Sequence, residues 1–459
     1  MAKCSTLRLD HIVVLLRSAT ALSLAATMLK VGAGLITLPL ALRLIPQQEM
    51  GLYYTFWGMA GLVMVFDFGF AQAVTRNASY IRGGARRLAA MGVPEGGASD
   101  EETSRLLLTL QSTGRLWYGA SGLALAALLL IPGSWFVRAQ VGHQNVDPVQ
   151  ASSWILLALA IAGNFYCSFL NAFVMGMSRV REASLATLAA QLVGIAVLVA
   201  SLLAGFRLWS YAFSQGAMVM AVFLVNRHTL QRYLPPPGPG GRPGWLEQKA
   251  MLAVLWPMVW RYGVVIAGAF LIQKTNTLIC THKLGLEATA QYGLTMALCG
   301  IIVQMCLIPL NIINPQISSF RVAGDIPGIK RLFFPRAYAS LAVGVLAVLG
   351  LAGLGQPLLT LLGSQTSLLP VTCVLALGVV WLLECHHGMY AFLVLSENRN
   401  PFMIPAVASG IAVTALSWWT VDTYGVWALI ASQGLVQLCW NNWWTVWRAL
   451  KGLSHESKS

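Results

Sequence analysis

Twelve apolar segments, each of about 20 residues or more, decide what this chain can fold into. They cover 18–42, 50–75, 115–137, 151–174, 185–205, 208–226, 251–277, 285–312, 337–362, 368–395, 401–421 and 424–447. A helix rises about 1.5 Å per residue, so each segment is long enough to cross a hydrocarbon core roughly 30 Å thick. In lipid, a helix satisfies the backbone of such a segment without outside partners. Only 10% of the residues are charged, against about 25% in soluble domains. The expectation is therefore an all-α polytopic membrane protein of about 12 transmembrane helices. The links 205–208 and 421–424 are so short that they make hairpins of segments five with six and eleven with twelve.

The formal net charge of +14 needs no nucleic-acid partner. With the N-terminus inside, 23 of the 30 Lys and Arg residues fall in cytoplasmic links and tails. Four (Arg43, Arg138, Arg207 and Lys283) fall on the other side, and Lys30, Arg261 and Lys274 fall within segments. This is the positive-inside pattern, and it predicts a multi-pass protein of the cytoplasmic (inner) membrane with both termini cytoplasmic. The eight cysteines include no CxxC pair; they read as packing residues, neither a disulfide framework nor a metal site. The start, "MAKCSTLRLDHIVVLLRSATALSLAATM", has the basic beginning of a signal peptide. Arg17 interrupts its apolar core, however, and hydrophobicity continues to Leu42, so an uncleaved first span is expected.

Near the midpoint lies "RYLPPPGPGGRPG". Its glycines are neither preceded by a strand nor followed by Lys-Ser/Thr, so it reads as a linker and not as a phosphate loop. It divides the chain into an N-terminal six-helix lobe (1–226), a cytoplasmic Pro/Gly linker (227–250) and a C-terminal six-helix lobe (251–459).

Lys30 sits twelve residues into the first apolar segment, roughly 18 Å deep. A cation there costs about 2.5–3.5 kcal/mol on insertion scales, so it calls for compensation or a function. The midpoint linker suggests that segments one and seven correspond, and their sequences agree. "KVGAGLITLPLALR" (30–43) aligns with "RYGVVIAGAFLIQK" (261–274). Each opens on a cation, has a glycine two residues on (Gly32, Gly263) and closes on a second cation, Arg43 or Lys274. Two six-segment halves share one orientation, which implies a pseudo-twofold axis along the membrane normal with a cavity between the halves. A matched pair of midplane cations, Lys30 and Arg261, suits an anion in such a cavity. For Arg43 and Lys274, interfacial snorkelling is an equal explanation.

The exit of the second segment, "MGLYYTFWGMAGLVMVFDFGFAQAVTRNASYIR", resembles the Wzx-type polysaccharide flippases of the multidrug/oligosaccharidyl-lipid/polysaccharide (MOP) exporter superfamily. The shared elements are Asp67-Phe68-Gly69-Phe70 and then Arg76. The exit of the eighth segment, "IIVQMCLIPLNIINPQISSFRVAGDIPGIKRLF", is similar to the second-half counterpart. The resemblance implies two six-helix lobes that flip a lipid-linked oligosaccharide by alternating access, for cell-surface polysaccharide biosynthesis. It also implies that cations on spans one and seven meet the anionic head, and Lys30 and Arg261 hold those places.

A polyprenyl-pyrophosphate-linked sugar fits this charge pattern. Arg offers forked donors to phosphate oxygens, and Lys a mobile point charge. Trp260, Gln273, Asn276 and Asn164, with Gln191 and Gln215, are candidates for the sugar; each also reads as an interhelical hydrogen-bonding or packing residue. Only Asp67 and Glu384 are acids well inside segments. In "ECHHG" (384–388), Glu384 and His387 share one helix face, which suits coupling to a proton or sodium ion; a gate pair is the structural alternative. For Asp67 the turn-like "DFGF" favours a structural role. The adjacent histidines diverge by about 100°, so no metal site is expected, and no cofactor. The leading expectation is a transporter and not an enzyme. A drug or metabolite cation antiporter of the same superfamily is the nearest alternative, and a polysaccharide polymerase is disfavoured by outward links of about thirteen residues or fewer.

Overall fold

The computed structural model describes residues 19–88, 95–142, 146–237, 241–397 and 401–455. Every predicted apolar segment is a helical run. The first is α1 (Ala19–Leu44). The second is α2 (Gln47–Ala60), α3 (Leu62–Asp67) and α4 (Phe70–Arg82). The third is α5 (Asp100–Leu128) continued through a π-helical turn at Leu129–Gly133, which holds Pro132, into α6 (Ser134–Gly142). Then come α7 (Pro148–Gly176), α8 (Val180–Leu203) and α9 (Trp209–Tyr233). The seventh run is α10 (Trp245–Gln273) with α11 (Thr275–Leu284), broken at Lys274. It is followed by α12 (Leu286–Val322), α13 (Ile326–Leu361), α14 (Val371–Leu395) and α15 (Met403–Tyr424). The last is α16 (Val426–Val436), a π-helical turn at Gln437–Asn441, and α17 (Asn442–His455).

Among the described residues, eight runs are long and apolar enough to cross a membrane, the bent second run makes nine, and the first contributes a shorter apolar helix over Gly32–Leu44. The sixth and twelfth fall short for local reasons. Asn226, Arg227, His228 and Arg232 dilute α9, and a π turn flanked by glutamines and asparagines divides the last run. Helix starts carry the expected caps. Ser99 and Glu102 form a reciprocal capping box on α5, while Asp147 and Asp325 cap α7 and α13.

The chain forms two compact units. The first holds residues up to Leu44, Ala60–Val141 and Val146–Ile266; the second holds Ile45–Met59 and Ala267 onward. The grouping follows packing, not chain order. Gly51 backs directly onto the Leu286 backbone and Gly293 onto the Tyr54 ring, and Thr55 and Thr281 share a 2.9 Å hydrogen bond. Helices in lipid associate through such close contacts of small residues, which binds α2 to α11 and α12 in the second unit. In the first unit, an aromatic core of Trp154, Phe165, Phe169 and Phe173 gathers α7 against α4, α5 and α9. Arg105 of α5 forks onto Glu247 of α10 at 2.8–3.0 Å and also donates to the Gly241 carbonyl. The Pro/Gly link is thereby tied at its far end.

The exposed surface is that of a membrane protein. Val343, Leu346, Leu354, Leu358 and Leu361 all lie open along α13. Exposed Trp418, Trp419 and Trp427 stand at one end of the second unit's helices, and exposed Trp443 and Trp447 follow on α17. From Trp427 to Trp447 the chain climbs roughly 30 Å, the thickness of the hydrocarbon core, as two interfacial aromatic belts require.

Candidate functional site

The second run bends by 41° at the "DFGF" sequence. Phe68 (φ 51°) and Gly69 (φ 73°) are both left-handed, a conformation that phenylalanine adopts only when its surroundings enforce it. The enforcing partner is on α10. The Phe68 ring fills the space over Gly263, and Tyr262 closes on Gly69, so that any side chain at either glycine would collide. Two motifs singled out in the sequence, "DFGF" and "RYG", thus meet inside the first unit. The Asp67 carboxylate accepts from the Tyr118 hydroxyl, with the backbone N–H groups of Gly69 and Ala71 close by. These donors and the positive end of α4 hold it among neutral partners. Phe70, Trp117 and Trp256 stack outward from the same bend.

The predicted cations and amides are divided between the two units. Lys30 lies on α1, but its side chain is outside the described residues. Arg43 is exposed near the end of α1, and Asn164 is exposed on α7. Arg261 is exposed on α10 with its guanidinium carbon 5.9 Å from the Trp260 ring centre. In the second unit, half-buried Gln273 and Lys274 occupy the break between α10 and α11. Asn276, the second residue of α11, is wholly buried and donates to the Leu429 carbonyl at 3.1 Å.

Glu384 and His387 come together on a buried polar seam between α14 and the last run. Gln437 donates its amide N–H to Glu384, and its own Oε1 accepts from Asn441 at 3.3 Å. The two amides therefore point one way, with donors directed at the carboxylate. The His387 Nδ1 lies 3.2 Å from the Asn441 carbonyl and 3.1 Å from Thr445 Oγ1. Thr445 donates to that same carbonyl, so Nδ1 carries the proton and Nε2 is the basic position. His386 repeats the arrangement. Its Nδ1 is 2.8 Å from Asn442 Oδ1, and Asn442 is oriented by a bond to the Leu383 carbonyl. The π-helical turn at Gln437–Asn441 lies at the centre of the seam, a distortion common at working sites. Among the described residues no group of three potential ligands could hold a metal ion.

The sequence reading passed over Tyr118, Gln433, Gln437, Asn441 and Thr445. A signal for four of them was present: Gln433, Gln437, Asn441 and Thr445 recur every four residues, a polar stripe on one helix face. All four are buried, and among neighbouring tryptophans they scarcely lower the mean hydropathy. Gln433 is the outlier. Neither atom of its amide has a protein hydrogen-bond partner, a cost of about 1–3 kcal/mol for each group left dry.

No family model matches the sequence, and no curated protein matches it. The fold does have solved counterparts. One is the inward-facing conformation of a multidrug resistance MATE family transporter of the MOP superfamily, with a TM-score of 0.63, 12% identity and coverage of 93% of this chain and 95% of that one. The outward-facing conformation of such a transporter gives 0.53 at 13% identity over 96% and 98%. A MATE crystal structure in the bent conformation gives 0.54 at 12% identity over 97% and 98%. The fold defines a polytopic helical membrane protein. The chain is similar in structure to MATE transporters over nearly its whole length.

Proposed function

We propose that this chain is an ion-coupled secondary transporter that exports an amphiphilic organic solute, with Glu384 as the coupling carboxylate. The observation that carries this reading is the directed amide pair of Asn441 and Gln437 ending on Glu384, with His387 three residues further along the same helix. A carboxylate kept in a membrane interior by oriented donors is the usual means of exchanging a proton or sodium ion for cargo. The structural neighbours described as multidrug transporters support a drug or metabolite antiporter. In this reading the protein sits in the cytoplasmic membrane with both termini inside.

A second reading has its own support. Arg261 is exposed beside Trp260, and Arg261 and Lys274 match Lys30 and Arg43 in the repeat. Cations and an aromatic face suit the pyrophosphate and sugar of a lipid-linked oligosaccharide, the cargo of the Wzx-type flippases. Purified protein in proteoliposomes separates the two. An antiporter moves ethidium against an imposed pH gradient, loses this in Glu384→Gln and keeps it in the Lys30→Ala, Arg261→Ala double variant. A flippase instead translocates a fluorescent polyprenyl-pyrophosphate sugar. Each anionic contact is worth about 1.5–3 kcal/mol, so each single cation variant weakens binding roughly ten- to a hundredfold. Wild-type protein that moves neither probe overturns both readings.

A further inference from the structure

We infer that the coupling proton reaches Glu384 along a hydrated polar file inside the second unit, running from Tyr292 and Asn276 past Gln433 to Gln437. The inference rests on the reading of Glu384 as the coupling carboxylate. Its first observation is a cluster of buried polar atoms that the protein leaves unmatched. The Tyr292 hydroxyl lies beside the Asn276 side chain, yet neither that hydroxyl nor Asn276 Oδ1 has a protein partner of acceptable hydrogen-bond geometry. The same holds for both amide atoms of Gln433. Asn276, Tyr292 and Gln433 are all at or below 1% exposure. Buried polar groups in proteins are almost always satisfied, and several unmatched atoms together are what an internal water with two to four partners requires.

The second observation is continuity. Asn276 grips the carbonyl of Leu429, which lies one helical turn before Gln433 and two before Gln437. Each turn advances about 6 Å, a gap that a bridging water spans with hydrogen bonds at both ends. Gln437 then holds Glu384 Oε2 with an N–H, a donor that takes up no further proton, so the proton arrives from water at Oε1. Beyond Glu384 the stripe continues through Asn441 to His387 and Thr445. No step requires a bond other than those of a proton passing between oxygens.

The titratable groups around this path are few. On α14 they are Cys373, Cys385, His386, His387 and Tyr390, besides Glu384, and beside Tyr292 lie Cys280 of α11 and Cys299 of α12. From α12, Cys306 lies against Cys385, and Arg321 bonds Ser396 and the Leu393 carbonyl at the far end of α14. From α13, Tyr338 lies near Tyr390. From α17, Arg448 is engaged with Glu397 at 2.8 Å, and α16 contributes none. None of them interrupts the line from Gln433 to Glu384.

Protonation of Glu384 followed by infrared spectroscopy, after a pH jump on the purified full chain, reads the file directly. It does so whether or not transport is coupled. Gln433→Leu fills the space with carbon and is expected to slow protonation at least tenfold without moving the pH midpoint. Gln433→Ser, which keeps a hydroxyl and admits a water, is expected to stay within threefold of the native rate. Tyr292→Phe should slow it as well. A file holding water also predicts that Gln433→Leu gains no thermal stability. A dry amide predicts a clear rise in melting temperature, and that rise, or native protonation kinetics in folded Gln433→Leu, overturns the proposal. Unchanged pH-driven transport in Glu384→Gln sinks the coupling reading instead, a result the infrared experiment does not depend on.

Discussion

Asp67 and Glu384 are the two carboxylates well inside the apolar segments, and each accepts from a neutral side chain. At Asp67 the donor is the Tyr118 hydroxyl, with the backbone at the head of α4 close by. A hydrogen bond to a charged group contributes about 1.5–3 kcal/mol. Tyr118→Phe should therefore lower stability by about that amount, read as a lower thermal midpoint in detergent. Asp67→Asn should cost less, because an amide oxygen still accepts from Tyr118. Equal midpoints for native protein and Tyr118→Phe would show that the bend does not depend on this bond. At this scale the sequence was partly legible. The "DFGF" turn and the three-residue spacing of Glu384 and His387 are local patterns, visible in a few adjacent letters. Their partners are not: Tyr118 is 51 residues from Asp67 and Gln437 is 53 from Glu384, and only packing brings them together.

Helix existence was legible and helix company was not. Apolar length alone places every run, because a segment in lipid has no backbone partner but itself. The boundary between the two units follows a different logic, written in contacts between residues far apart. α2 lies in the second unit because Gly293 admits the Tyr54 ring and Gly51 the Leu286 backbone. Gly293→Leu should overpack this contact and destabilise the protein by about 1–3 kcal/mol. Gly300, one end of the same helix's next stretch, meets its nearest neighbour, Trp381, at 3.9 Å from an added methyl. Gly300→Ala is therefore the control, with stability within about 0.5 kcal/mol of native. Chemical denaturation with Tyr and Trp fluorescence distinguishes them, and equal effects of the two substitutions would remove Gly293 as the determinant. The breaks at Lys274 and at Gln437–Asn441 belong to this scale too. Neither break contains a proline or glycine, so the sequence offers no helix breaker at either.

For the whole molecule, charge and aromatic residues set the frame in which any transport has a direction. Moving a Lys- or Arg-rich link across the membrane is disfavoured, and the split of 23 cations against four predicts both termini inside. The exposed tryptophans suit two interfaces: Trp418, Trp419 and Trp427 at one end of the second unit's helices, and Trp447 roughly 30 Å along from Trp427. In the proposed orientation, the Thr445 end of the polar stripe is its cytoplasmic end and the Asn276 end its outer one. A proton descending an inward gradient would then meet Gln433 before Glu384. Asn145→Cys and Gly240→Cys, each made in a background without native cysteines, test the frame. In intact cells a membrane-impermeant maleimide should label the first and leave the second until the membrane is opened. The opposite labelling would invert the protein, place the Asn276 end of the file toward the cytoplasm, and require the proton to enter past His387 instead.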